Sequence, residues 1–238
     1  MNMKVINIET EFSNIENLLD EVTEEGKPMT YKVKYNGKYV VIKNAEYDIS
    51  IVDYMIVNEC KSIFNLNKIE NLILFQSLYN INEYTNEVYK NKNDKYKIFY
   101  MMDFIDNSCM ISDNIEVLKD IDLLIEYVKC ALYRGIFRVT DFSPRNILIA
   151  DNKLYSIDEN AIGKQYEIIK QRDINKYIKK NITKNVINNI VDDLLSDYKE
   201  KINKISIILD KYDKSCLLPL IEYHFRFLLK DIYRDLKF

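Results

Sequence analysis

Apolar and polar positions change period along the chain, and the changes mark its parts. Residues 3–8 alternate weakly and predict a short strand. Over 13–25, Ile15, Leu18, Leu19 and Val22 recur at helical spacing, Ser13 is a suitable N-cap with Glu16 three residues on, and Gly26 follows. That pattern predicts a helix. From residue 29 the period falls to two: Tyr31, Val33 and Tyr35 alternate with Lys32 and Lys34, then come Asn36-Gly37 and Tyr39-Val40-Val41-Ile42-Lys43. Asn-Gly between two β-rich runs signals a type I′ turn, because both central residues need positive φ, so 29–43 is predicted as a hairpin.

Ile49, Val52, Met55, Ile56, Glu59, Ile63 and Phe64 fit an amphipathic helix over about 49–64. Strands are predicted over 71–79 and 96–105, separated by a polar loop at 80–95. A helix follows over 114–134, with Ile121, Leu124, Ile125, Val128 and Leu132 as its inner stripe and Gly135 placed as a C′ residue would be. A short apolar hairpin fills 139–158, and the chain beyond Gly163 is nearly all helix-patterned, with Pro219 the one expected break. The fold class is therefore α+β, with a β-rich part over 1–105 that embeds one helix and a mainly helical part over 107–238.

Composition narrows the function. The chain has 238 residues, 47% of them hydrophobic, which is enough for one large domain or two small lobes. Lys+Arg 34 against Asp+Glu 37 gives a net charge of -3, so no global basic field indicates nucleic acid. Four cysteines, Cys60, Cys109, Cys130 and Cys216, stand far apart without a C-x-x-C, which argues against a zinc site and a disulfide framework. No apolar run approaches the roughly 20 residues of a membrane span, and a reducing, cytoplasmic setting is expected. Gly 4 and Pro 3 mean that glycine-dependent loops are scarce.

The chemistry concentrates in Val139-Thr140-Asp141-Phe142-Ser143-Pro144-Arg145-Asn146-Ile147-Leu148-Ile149, followed by a turn at Asp151-Asn152 and by Leu154-Tyr155-Ser156-Ile157-Asp158. Asp141, Asn146 and Asp158 form an ordered set of hard oxygen donors of the kind magnesium takes together with phosphates. Singly, each residue has a plainer reading. Asp141 and Asn146 also suit turns, Lys43 an exposed strand, and Glu59 a solvated helix face. The specificity lies in the combination.

In this order, the motifs resemble the protein-kinase-like superfamily, in which protein kinases and aminoglycoside-type small-molecule kinases share a two-lobed fold. Val40-Val41-Ile42-Lys43 is similar to the third-strand V-A-I-K, which implies that Lys43 neutralises ATP phosphates. Glu59 stands where that lysine's ion-pair partner would be, with Glu46 and Glu70 as competitors. Met102-Asp103-Phe104-Ile105 resembles the hinge at 102–106, implying that the backbone of Asp103 and Ile105 meets adenine. Asp141 and Asn146 match D-x-x-x-x-N, which implies that Asp141 orients or deprotonates the acceptor hydroxyl and that Asn146 binds magnesium. Asp158 falls at the D-F-G aspartate, the main metal ligand. ATP and Mg2+ are the implied cofactors. The partner is a protein or small-molecule acceptor, and neither a membrane nor nucleic acid is indicated.

The departures point to an atypical member. Val139-Thr140 stands in place of His-Arg, Ser143 in place of a lysine, and Glu159-Asn160 in place of Phe-Gly; no G-x-G-x-x-G precedes the hairpin, and no A-P-E follows Gly163. An ATP- and magnesium-dependent phosphotransferase with slow or narrowly specific turnover is the leading expectation. The alternatives are a pseudokinase that acts by contact, and AMP transfer with the same metal site. The basic residues between Lys164 and Lys184 read as a solvated face or as a site for an acidic substrate, and the lone His224 as a packing residue.

Overall fold

The computed structural model describes residues 5–7, 17–22, 28–45, 48–70, 73–77, 97–139, 144–157, 159, 162 and 178–236. Its contacts divide the chain into two units, residues 1–51 with 69–105, and residues 52–68 with 106–238.

The first unit is built on a six-stranded sheet. Strands β1 (Val5–Asn7), β2 (Asn17–Val22), β3 (Pro28–Tyr35), β4 (Lys38–Ala45), β5 (Ile73–Ser77) and β6 (Lys97–Asp103) lie in the order β1-β5-β6-β4-β3-β2. β1 joins β5 in parallel, and the other neighbours are antiparallel. The β3–β4 turn is Asn36-Gly37, with φ of 48° and 82°, as a type I′ turn requires. Along β4, Val40 and Ile42 are buried while Val41 and Lys43 are half-buried, which is the alternation of a strand.

Residues 17–22 depart from the predicted helix. They form β2, with Asn17 opposite Val33 and Leu19 opposite Tyr31. The spacing of Leu18, Leu19 and Val22 permits a helix, but the edge of β3 offers a backbone ladder, and such pairing overrides a weak local preference. The predicted loop at 80–95 lies outside the described residues.

Helix α1 (Asp48–Cys60) and the 3-10 turn Lys61–Phe64 follow β4. The sequence pattern groups this helix with the β-rich part, yet its buried Ile56, Val57 and Cys60 join the core of the second unit. A 3-10 turn (Ile115–Lys119) precedes α2 (Ile121–Phe137). The Asp120 carboxylate caps α2, accepting from the amides of Asp122 at 2.9 Å and Leu123 at 3.3 Å. Gly135 does not end this helix. Ile136 and Phe137 continue it because both are fully buried, and Arg138 closes it in the left-handed region at φ 53°.

Helices α3 (Lys184–Leu195), α4 (Tyr198–Lys211) and α5 (Leu218–Leu236) complete the unit. Pro219 breaks nothing. It sits in the first turn of α5, where an amide has no intrahelical partner to lose. The breaks fall at Asp197 and Asp213, both at positive φ. The core joins Leu124, Val128 and Leu132 to Ile187, Leu194, Leu209, Ile221 and Phe225. Phe64 packs at 5.2 Å from the Tyr133 ring and 5.7 Å from that of Phe225. A small antiparallel sheet, β7 (Cys109–Met110), β8 (Ile147–Ala150) and β9 (Lys153–Ser156), carries the chemistry.

Candidate functional site

The β8–β9 hairpin sets the site. Asp151 and Asn152 turn it with φ of 49° and 56°, and the register pairs Ala150 with Lys153 and Ile147 with Ser156. One step beyond, at the open end, the Ile157 amide donates to the Asn146 carbonyl at 2.8 Å. Asn146 ends the 3-10 turn Pro144–Asn146 with its residue only 9% exposed. The hairpin thus brings Asn146 opposite the residue that precedes Asp158. Asp141 and Asp158 themselves, with Ser143, Asn160 and residues 164–177 of the basic stretch, lie outside the described residues. Lys179, Lys180 and Lys184 of that stretch are exposed.

Buried charge surrounds the end of β9. Lys61 is 1% exposed and Glu159 is 0% exposed, with Nζ of Lys61 at 2.6 Å from Oε2 of Glu159. The same ammonium donates to the Ser156 carbonyl at 2.7 Å and to Oδ1 of Asn58 at 3.4 Å. Fully buried Arg134 donates through Nη1 to Oγ of Ser156 at 2.9 Å and to the Ile157 carbonyl at 3.1 Å. Its Nη1 also lies 3.8 Å from Oε1 of Glu159. Further on, the Ile162 amide donates to Oδ2 of buried Asp53 at 2.9 Å. Lys61, Arg134 and Asp53 belong to none of the sequence motifs. The available signal was Arg134, which follows Tyr127 and Ala131 at helical spacing on the inward stripe of α2, where a charge calls for a buried partner.

The other expected residues have distinct surroundings. Lys43 pairs across the sheet with Thr30 on β3 and Tyr100 on β6. Glu59 is engaged within the second unit: Lys211 forms an ion pair with it, and the Tyr212 hydroxyl donates to its Oε1 at 2.8 Å. At the hinge, the Asp103 amide donates to the Glu70 carbonyl and the Phe104 amide to the Tyr39 carbonyl, each at 3.3 Å. The Ile105 amide makes no backbone hydrogen bond among the described residues. The Lys32 ammonium sits 3.6 Å from the Phe104 ring centroid, a close cation–π contact.

Several groups are far from their ordinary protonation range. Burial pushes the Cys130 thiol up to about 12, with the Glu126 charge adding to it. Burial likewise raises Cys60 and Tyr133. Burial raises the Glu126 carboxyl, whose Oε1 accepts from the Asn67 amide at 2.8 Å. None of these is an activated nucleophile. All four cysteines are free thiols. Among the described residues no group of three or more His, Cys, Asp or Glu gathers to hold a metal. The carboxamide of Asn146 remains a neutral hard-oxygen donor of the kind magnesium accepts.

Comparison with known structures identifies the architecture. The chain is similar to the Helicobacter pylori proinflammatory kinase CtkA, with a TM-score of 0.52 at 12% identity, over 94% of this chain and 96% of that one. The chain has a protein-kinase-like fold. The kinase-like chain also matches the PAN3 pseudokinase of Neurospora crassa, solved in complex with PAN2, at a TM-score of 0.35 and 15% identity over 94% of this chain and 61% of that one. The Drosophila melanogaster PAN3 pseudokinase matches at 0.35 and 10% identity, over 94% and 68% of the two chains. The fold assignment rests on the first of these. No protein-family model matches the chain, and no curated protein matches it by sequence. No helix among the described residues is long and apolar enough to cross a membrane.

Proposed function

We propose that this kinase-like chain is an ATP- and magnesium-dependent phosphotransferase of atypical type, moving the γ-phosphoryl group to a hydroxyl on a protein serine or threonine or on a small molecule. The observation that supports this most is the 2.8 Å bond from the Ile157 amide to the Asn146 carbonyl, which sets Asn146 opposite the residue that precedes Asp158 in the sequence. In a kinase-like fold Asn146 and Asp158 are the metal ligands.

Each residue then has a role. Lys43 holds the α- and β-phosphates, and the Asp103 carbonyl and Ile105 amide meet adenine. Asn146 and Asp158 would hold magnesium, which would supply charge neutralisation for the phosphates. Asp141 orients the acceptor and takes its proton. The acceptor oxygen bonds to the γ-phosphorus as the bond to the β–γ bridging oxygen breaks, and ADP leaves. Positioning and charge account for nearly all of such catalysis, so a chain without a glycine-rich loop is expected to turn over slowly. The free thiols suit a reducing compartment, which supports a cytoplasmic setting.

A second reading has one observation in its favour. Glu59, the candidate partner for Lys43, is engaged by Lys211 and Tyr212. That suits a pseudokinase that binds nucleotide without efficient transfer. Incubation with γ-labelled ATP and magnesium separates the two. Release of ADP by the wild type and its loss in Asp141→Asn and Asp158→Ala supports transfer; equal rates in all three would sink the catalytic reading.

A further inference from the structure

Both sides of Asp158 are held by charges to which the phosphotransfer scheme gives no role. Before it, Lys61 grips the Ser156 carbonyl, and Arg134 grips the Ser156 hydroxyl and the Ile157 carbonyl. After it, the Glu159 carboxylate turns back to the same Lys61 at 2.6 Å. Four residues past Asp158, the Ile162 amide is tied to Asp53. Lys61 and Asp53 belong to α1 and its 3-10 continuation, so one helix holds this stretch at two points.

We propose that Lys61, Arg134 and Glu159, assisted by Asp53, are positioning residues that fix the backbone around Asp158 and so set the orientation in which its carboxylate meets magnesium; the metal in this inference rests on the phosphotransfer reading. The hold is directional. Lys61 donates hydrogen bonds to Asn58 and Ser156 while its charge faces Glu159 at 2.6 Å. Turning the peptide between Ile157 and Asp158 would break the Arg134 bond to the Ile157 carbonyl and leave a buried guanidinium short of an acceptor. Buried ions tolerate that poorly, so this orientation has no low-cost competitor. Neither oxygen of Glu159 receives an aligned hydrogen bond among the described residues, so its attraction for Lys61 is one of charge. An amide of the same shape cannot supply that charge. Outer-shell partners of this kind orient metal-binding carboxylates.

The test is calorimetric titration of ATP at a series of magnesium concentrations, with ATP in EDTA as the metal-free reference. The proteins are the wild type, Glu159→Gln, Ser156→Ala, which removes only the hydroxyl that Arg134 grips, and Leu209→Ala. Leu209 is a core residue on α4, an element that supplies none of the bonds named above. Glu159→Gln is expected to raise the magnesium needed for half-maximal effect by about 10- to 100-fold, the scale on which outer-shell partners tune metal affinity. Its affinity for metal-free ATP should match the wild type, and Leu209→Ala should keep the wild-type magnesium dependence. If Glu159→Gln does not fold, Ser156→Ala decides with a several-fold shift in the same direction. Wild-type magnesium dependence in the cluster variants, or an equal shift in Leu209→Ala, overturns the positioning role alone. A wild type whose ATP binding ignores magnesium overturns the phosphotransfer reading and the metal role together.

Discussion

The Nζ of Lys61 lies 2.6 Å from Oε2 of Glu159, and neither side chain reaches solvent. Removing one member of such a pair strands a buried charge. Arg134 is a second buried cation 3.8 Å from the same carboxylate, so Glu159→Leu takes the carboxylate from both cations and should lose about 3–5 kcal/mol of unfolding free energy in urea. A variant within about 1 kcal/mol of the wild type would show that the pair is not desolvated.

The β3–β4 turn offers a test of local encoding. Gly37 has φ 82°, and a Cβ there would meet nothing within 4 Å. The cost of Gly37→Ala is thus backbone strain alone, expected at about 1–2 kcal/mol in a thermal or urea melt.

Thiol reactivity should split by burial. Cys109 and Cys216 are exposed, while Cys60 and Cys130 are buried with their thiols pushed up, Cys130 to about 12. The thiolate is the reactive form, so a thiol reagent at about pH 8 should label Cys109 and Cys216 in the native protein and the other two only after unfolding. Fast native labelling of Cys130 would contradict its place in the core.

Glu126 makes stability depend on pH. Its carboxyl is raised in the folded chain, chiefly by burial, so the fold favours the protonated form. That contribution is complete below the ordinary glutamate range near pH ~4 and is lost as pH rises through the raised value. Glu126→Gln keeps an acceptor for Asn67 and removes the charge. It should be more stable than the wild type at neutral pH, and the gap should close as pH falls below about 4.

What the sequence discloses tracks how local each determinant is. The turns at Asn36-Gly37 and Asp151-Asn152 are written in the two residues that form them, and both have the positive φ that glycine, asparagine and aspartate tolerate. The apolar runs on either side of Asp151-Asn152 mark the hairpin, whose open end holds Asn146 in the structure. By contrast, the β2 strand depends on the edge of β3 and not on its own spacing, so helical periodicity misled there. Gly135 reads as a terminus until Ile136 and Phe137 find the core. The charged cluster was hardest to see, because Lys61 meets Ser156 across 95 residues and each charge alone looks like surface. Glu159 drew notice only as a departure from Phe-Gly, and the cations that explain it lie on distant elements.

The nucleotide reading is tested most directly by calorimetric titration of ATP into the wild type and Asp158→Asn, each with saturating magnesium and with EDTA. Asp158→Asn keeps the shape of the side chain and removes its charge. The wild type should bind ATP more tightly with magnesium, and the variant should lose that increment while its binding in EDTA stays the same. Identical isotherms for the two proteins in saturating magnesium would contradict the assignment of Asp158 as a metal ligand, and with it the proposed phosphotransfer site.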